Sequence, residues 1–160
     1  MIIPLLLTSS LLFGTPVKDT VWWNTEGGRV LEHRDGAVAT CTLWLIDQDS
    51  RVAFTWAKGQ PVSVAAISPA LSMPSDSPRM PVSLQIGDAW LNNAQPYDAV
   101  GFGTSLTFVI DQSIEAPLRG ADHITIRSPT SDFSLHVNRT KIATLLDHVR
   151  QCRQSVPGLG

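Results

Sequence analysis

Apolar and polar residues alternate over short stretches along most of the chain, which is the pattern of half-buried β-strands. In residues 51–57, Val52, Phe54 and Trp56 fall on one face of an extended chain, and the residues between them fall on the other. Further strands are predicted in residues 37–46, 62–68, 82–86, 106–110, 124–126 and 133–137. Turn residues separate these stretches at intervals that are typical of an antiparallel sandwich or barrel.

The C-terminal region changes to the period of an amphipathic helix. Asn138 is a suitable N-cap, and Pro157 with Gly158 prevents the helix from continuing. One apolar stripe contains Ile142, Leu145, Leu146, Val149 and Cys152. The pattern therefore predicts a mainly β fold, an antiparallel β-sandwich or a barrel-like sheet, with one C-terminal α-helix packed on it.

The N-terminal residues form a separate apolar block. Residues 2–13 are too few for a transmembrane helix, which needs about 17–25, but they fit the apolar core of a secretory signal. No Lys or Arg precedes the block and no A-x-A site follows it, so a buried N-terminal strand is the alternative. The expected division is a signal peptide or apolar segment in residues 1–15, a single β-sandwich domain in residues 16–155, and a tail in residues 156–160.

Residues 69–81 contain four prolines and several serines, which predicts a long loop. Such a loop is either functional or mobile. One hypothesis makes it the binding segment of an inhibitor or of a small-ligand barrel.

The chain has two cysteines, Cys41 and Cys152, and no C-x-x-C motif. An exported protein is expected to join them in a disulfide, and Cys152 on the apolar stripe of the helix would face the core. The alternative is a pair of unrelated buried thiols in a cytosolic protein. Export and the disulfide are therefore coupled predictions.

The composition and charge of the chain mainly exclude certain classes of partner and site. Charged residues make up 16% of the chain, the net charge is −2 and the pI is about 6.0, which argues against a nucleic-acid partner. No phosphate-binding loop, zinc motif or nucleophile elbow occurs in the sequence, so no cofactor, metal or catalytic residue is assigned. His123 and His136 are expected to face each other across a hairpin as surface histidines. An enzyme is the less favoured class, with an unrecognised hydrolase triad left open.

Five tryptophans are many for 160 residues. Trp56 shares a face with apolar neighbours and is predicted to lie in the core. The aromatic residues near turns are candidates for a ligand or partner surface, including a carbohydrate-stacking platform: Trp22, Trp23, Trp90 and Tyr97. In an extended strand, Trp22 and Trp23 would point to opposite faces.

The segment from Asp132 to Cys152, read as strand, turn, helix and cysteine, resembles the closing region of small exported bacterial proteins of the invasion-associated locus B type. Residues 109–120 followed by 124–126 fit the same order, and the likeness covers about residues 37–153. The chain departs from the family in having only two cysteines. The resemblance implies an extracytoplasmic β-sandwich without known catalysis and supplies no site residues.

Together these observations predict a non-enzymatic, periplasmic or secreted β-sandwich protein that binds an envelope component or another protein. The alternatives are a periplasmic inhibitor or small-ligand or carbohydrate-binding barrel, and a hydrolase. No transmembrane span and no cofactor are expected.

Overall fold

The structure is a computed structural model that describes residues 17–73, 78–91 and 95–160. The predicted N-terminal segment, residues 1–15, lies outside the described residues. The described part contains eleven strands: β1 (Lys18–Thr25), β2 (Gly28–Asp35), β3 (Val38–Asp47), β4 (Ser50–Ala57), β5 (Val62–Ile67), β6 (Arg79–Ile86), β7 (Ala89–Trp90), β8 (Tyr97–Phe102), β9 (Ser105–Ile110), β10 (His123–Arg127) and β11 (Asp132–His136). It also contains the helices α1 (Glu115–Gly120) and α2 (Arg139–Ser155).

All strand pairs are antiparallel and join into one large sheet that is not closed. The strand order is β1-β2-β3-β4-β5-β9-β8-β6-β10-β11, with β7 paired to β6. The mainly antiparallel fold with a C-terminal helix is confirmed, but the strands do not separate into two hydrogen-bonded sheets. The reason lies in β6, which pairs with β8 through residues 79–82 and with β10 through residues 83–86. One strand thus carries the hydrogen bonding from one half of the sheet to the other.

The sheet folds back on itself, so that β11 returns to contact β3 and β4. The apolar side of the folded sheet forms the core, and α2 packs against β1, β2 and β3. Each member of the predicted apolar stripe of α2 is buried. Asn138 caps the helix as expected, because its Oδ1 accepts the backbone N–H groups of Thr140 and Lys141. Beyond α2, Val156 and Leu159 are buried, so the predicted tail packs onto the core.

The proline-rich segment differs in part from the predicted loop. Arg79, Met80 and Pro81 belong to β6. Pro81 lies opposite Asp98 of β8 in a non-hydrogen-bonded pair of the antiparallel ladder. At such a position the backbone nitrogen points away from β8, so no N–H is needed there. A proline can therefore occupy this strand without breaking the ladder.

Candidate functional site

The last turns of α2 are held by three residues that lie side by side on β2, β3 and β4. Glu32 is in register with Cys41, and Cys41 with Trp56. We call Glu32, Cys41 and Trp56 the anchor row. A disulfide joins Cys41 to Cys152 of α2, with their Cα atoms 6.1 Å apart. The predicted pairing is confirmed, and both cysteines are fully buried.

The other two members of the anchor row also contact α2. The Ser155 hydroxyl donates mainly to the Cys152 carbonyl at 2.7 Å and more weakly to the Glu32 carboxylate at 3.4 Å. The Arg153 guanidinium lies 5.9 Å from the centre of the Trp56 ring. Trp56 is buried, as its alternating pattern predicts. One covalent bond, one hydrogen bond and one cation–π contact therefore fasten the same end of the helix.

Glu32 is a buried carboxylate with several donors around it. Its oxygens accept from Trp22 Nε1 at 2.9 Å, from Arg34 Nε and from Ser155 Oγ. Burial raises the pKa of Glu32, but the hydrogen bonds from Arg34 and Trp22 lower it more, so the pKa lies below its ordinary value of 4.5. Glu32 is therefore ionised at neutral pH, and its role in this geometry is to fasten α2 and β1.

The two adjacent tryptophans both reach the helix side of the sheet, contrary to the opposite-face prediction. Val21 pairs with Leu31 and Trp23 with Val30, so Trp22 is an extra residue in a β-bulge. Trp22 donates to Glu32, and Trp23 stacks on His148 of α2 with ring centres 4.4 Å apart. Trp23 also lines a small cavity of about 180 Å³ with residues of α2.

The other two predicted surface aromatics lie elsewhere. The Trp90 ring is 4.9 Å from the guanidinium carbon of Arg127 on β10. Tyr97 stacks on Phe108 at 5.4 Å and borders a shallow cavity of about 290 Å³. Burial and then the charge of Asp111 raise the pKa of Tyr97 above 10.0. The structure thus brings Trp22 and Trp23 together at α2 and places Trp90 and Tyr97 near β6 and β8.

Sequence reasoning missed a larger surface, the outward face of β1–β5, β9 and β8. One cross-strand row on this face runs Asn24, Arg29, Trp44, Ala53, Ala65, Thr107 and Val100. A parallel row runs Val21, Leu31, Thr42, Thr55, Ser63 and Val109. Large apolar side chains stay open to solvent here: Val21, Ile67, Val100, Val109 and Phe102, the last 90% exposed. Of these, Ile67, Val100, Phe102 and Val109 lie on the adjacent strands β5, β9 and β8. Neighbouring exposed apolar side chains of this kind are typical of interaction surfaces.

Two arginines lie within this outer face. Arg29 is in register with Trp44, and its guanidinium carbon lies 5.6 Å from the Trp44 ring centre. Arg51 is in register with Ile46 and Ile67. Neither arginine has an ion pair with any described residue, and the buried Nε of Arg29 has no hydrogen-bond partner there. The outer face therefore presents cations and apolar side chains together.

The outward face of the other half of the sheet, β6, β10 and β11, is polar. Thr125 and Ser134 share a hydrogen bond of 3.1 Å, and Arg127 pairs with Asp132 at 3.2 Å. His123 and His136 lie directly opposite each other, as predicted. No group of three or more His, Cys, Asp or Glu that could hold a metal ion occurs among the described residues.

A cleft of about 250 Å³ opens beside α1 and the end of α2. Its lining includes Trp56, Asp111, Glu115 and Arg153, and the guanidinium of Arg153 is paired with Glu115. This volume is below the range of about 300–1,000 Å³ that is usual for ligand pockets. The cleft can therefore take only a small polar molecule.

Comparison of the chain with protein-family models, with curated proteins and with solved structures finds no match in any of the three. The resemblance to the invasion-associated locus B type stays a prediction. In the described part of the chain, no helix has both the length and the apolar character needed to cross a bilayer. A buried disulfide favours an oxidising compartment, because cytosolic thiols are kept reduced.

Proposed function

We propose that this chain is an exported, non-enzymatic binding protein whose outer face docks on a protein partner that presents carboxylates among apolar side chains. The outer face of β1–β5, β9 and β8 carries the proposal, because it combines exposed apolar residues with two arginines that have no ionic partner among the described residues. The proposal treats the two halves of the sheet as the layers of a sandwich.

Charge complementarity supports the choice of partner. Arg29 and Arg51 flank Trp44 and Ile46 on neighbouring strands, so an approaching carboxylate meets a guanidinium beside an indole. Arginine is favoured where a carboxylate is bound at an interface, because its planar fork donates two parallel hydrogen bonds. The guanidinium of Arg29 lies against the Trp44 ring and has no ion pair among the described residues, so its solvent-facing N–H groups are the donors that a docked carboxylate would use.

The disulfide supports export to the periplasm or the medium. The direct check is the intact mass of the protein from a native-like bacterial host, before and after reduction with alkylation. We expect the mass of a chain that lacks the first ~10–20 residues, with alkylation only after reduction. A full-length mass with two freely alkylated thiols contradicts export.

Docking on the outer face is tested by a photo-crosslinking amino acid at Thr107, which lies between Val100 and Ala65 in the cross-strand row. We expect a discrete adduct whose cross-linked peptide is acidic, and its loss in the double variant Arg29→Gln, Arg51→Gln. The double variant Arg119→Gln, Arg150→Gln makes the same charge change near α2 and is expected to leave the adduct unchanged.

The same crosslinker at Ser134 probes the polar outward face and is the positional control. An equal adduct from Ser134 contradicts docking on the outer face. An adduct at Thr107 that persists in the Arg29→Gln, Arg51→Gln variant also contradicts docking on the outer face. The absence of any adduct at Thr107 contradicts it as well.

The cleft lined by Trp56 and Arg153 favours a second candidate function, the binding of a small polar ligand such as one sugar ring. It ranks lower because Glu115 already occupies the guanidinium of Arg153. Titration with D-glucose and N-acetylglucosamine tests it through the NMR signal of the Trp56 indole N–H. Saturable shifts of that signal support a small-ligand site, and an unmoved signal contradicts it for these sugars.

A further inference from the structure

His123 and His136 form the type of cross-strand pair in which the two side chains are closest to each other. The backbone N–H of Val137 donates to the carbonyl of Asp122 at 2.8 Å, so the next pair, His123 and His136, is a non-hydrogen-bonded pair. At such positions the Cα atoms are about 4.5 Å apart and the side chains leave the same face. Two imidazoles at this spacing can reach one metal ion, whose bonds to ring nitrogens are about 2.0–2.1 Å long.

Each histidine's backbone is also hydrogen-bonded on the side of its strand that faces away from the other histidine. The carbonyl of His123 accepts from the N–H of Gly87 at 2.9 Å. The N–H of His136 donates to the Asp47 carboxylate at 3.2 Å, which ties β11 to the end of β3. The two side chains therefore start from fixed strands, and little order has to be gained when a ligand binds them.

Asp122 orients the ring of His123. Its Oδ1 lies 2.6 Å from Nδ1 of His123, and its Oδ2 accepts from Arg139 at 2.7 Å. Because a carboxylate can only accept, the neutral ring donates from Nδ1 and carries its lone pair on Nε2. A carboxylate on the far nitrogen is the usual support of a histidine that ligates a metal, since it sets the tautomer and raises the basicity of the ring.

We propose that His123 and His136 bind one divalent late transition-metal ion, through Nε2 of His123 and one ring nitrogen of His136. Imidazole suits Cu²⁺, Ni²⁺ and Zn²⁺, and Cu²⁺ heads the usual order of affinity, so Cu²⁺ binds most tightly. With only two side-chain ligands available in the described residues, the other coordination positions take water or a group from outside the chain. The site is separate from the outer face and does not depend on the proposed function.

Calorimetric titration of the oxidised, full chain with Cu²⁺ tests the site, and electron paramagnetic resonance of the complex identifies its ligands. We expect one tight ion per chain with coupling to two ring nitrogens. His123→Gln and His136→Gln should each remove the two-nitrogen signal. Asp122→Asn should weaken binding by about 10–100-fold, as expected for the loss of a carboxylate that supports a metal-ligating histidine.

His33 is the matched control. Its Nδ1 lies 2.6 Å from Asp19, as in the other pair, but its cross-strand partners are Asp19 and Thr40 rather than a histidine. His33→Gln should leave the tight ion unchanged. The proposal is overturned if His33→Gln lowers binding as much as His136→Gln, or if both β10–β11 variants keep the two-nitrogen signal.

A measurement on the unaltered chain guards against a variant that misfolds. Cu²⁺ at substoichiometric concentration broadens the NMR signals of nearby nuclei. Broadening centred on residues 122–125 and 134–137 supports the site. Broadening centred on His33 or His148, or spread evenly over the surface, contradicts it.

Discussion

At the scale of single residues, Glu32 shows how a buried charge is accommodated. It is 5% exposed, yet its two oxygens are met by an indole N–H, a guanidinium and a hydroxyl from three different segments. A buried carboxylate is costly unless its hydrogen bonds are made, and removal of one partner leaves that cost uncompensated. Glu32 therefore joins β1, β2 and α2 at one point.

Glu32→Gln is expected to destabilise the protein by about 1–3 kcal/mol at neutral pH, because hydrogen bonds to a charged acceptor are lost. The folded-state pKa lies below the ordinary 4.5, so this stabilisation is complete above that value and is lost as the pH falls through the folded-state pKa. Urea unfolding of both proteins at pH values from neutral to about 3 measures it. The difference should shrink toward low pH, and a pH-independent difference contradicts the role of the charge.

Several residues could be assigned from the sequence because local chemistry decides them. Asn138 precedes an apolar stripe, and Trp56 alternates with apolar neighbours, so the cap and the core position follow from the pattern. Glu32 could not be recognised, since its partners Trp22 and Ser155 belong to other elements and Ser155 is distant in sequence. The predicted orientation of Trp22 relative to Trp23 was wrong, because one extra residue in a bulge changes which face of the strand the neighbouring side chains occupy. No turn residue in the sequence marks this bulge.

At the scale of elements, α2 is fastened to the sheet at its C-terminal end by the anchor row, while at its N-terminal end Asn138 caps the helix's own N–H groups. Cys152, Arg153 and Ser155 fall within one turn and meet three adjacent strands. An apolar stripe alone would allow the helix to slide along the sheet. The three contacts on neighbouring strands define its register.

Opening the disulfide is expected to lower stability without changing the fold. Closure of a loop of about 100 residues contributes up to about 4.7 kcal/mol in the chain-entropy model, and loss of a native disulfide typically costs about 2–5 kcal/mol. The double variant Cys41→Ala, Cys152→Ala should show this loss in urea unfolding with an unchanged far-ultraviolet circular dichroism spectrum. A loss below about 1 kcal/mol would contradict a stabilising role for the bond.

Most strands were predicted from alternation, but their assembly into one sheet was not. The decisive element is β6, whose first half pairs with β8 and whose second half pairs with β10. Pairing partners depend on contacts between distant segments, and alternation reports only which residues share a face. For the same reason the pattern predicted the His123–His136 pair, which is local to one hairpin, but not the neighbouring Asp47.

At the scale of the whole molecule, the two outward faces differ in chemistry. The outer face of β1–β5, β9 and β8 mixes exposed apolar side chains with hydroxyl-bearing residues and carries two arginines without an ion pair among the described residues. The face of β6, β10 and β11 is polar and carries the Arg127–Asp132 ion pair. The sequence reveals neither face, because exposure depends on what packs above each strand. Solubility and partner choice should therefore respond to changes on the first face and not on the second.

Phe102 and Phe108 provide a matched comparison within one hairpin. Phe102→Ala should change the free energy of unfolding by less than about 0.5 kcal/mol, since the ring is 90% exposed. Phe108→Ala should cost about 3–5 kcal/mol, because a buried ring is removed. Urea unfolding measures both. A large loss in Phe102→Ala would show that its ring is packed and would remove it from the proposed docking surface.

The covalent bond between Cys41 and Cys152 also limits how far the chain can be stretched. The cysteines are 111 positions apart, and force applied at the two ends bypasses everything between them. At about 3.3–3.6 Å per residue, roughly 370–400 Å of contour length stays out of reach until the bond is reduced. While the bond is intact, stretching the chain can extend only the segments before Cys41 and after Cys152, and the strands β4 to β11 between them carry no tension along the chain.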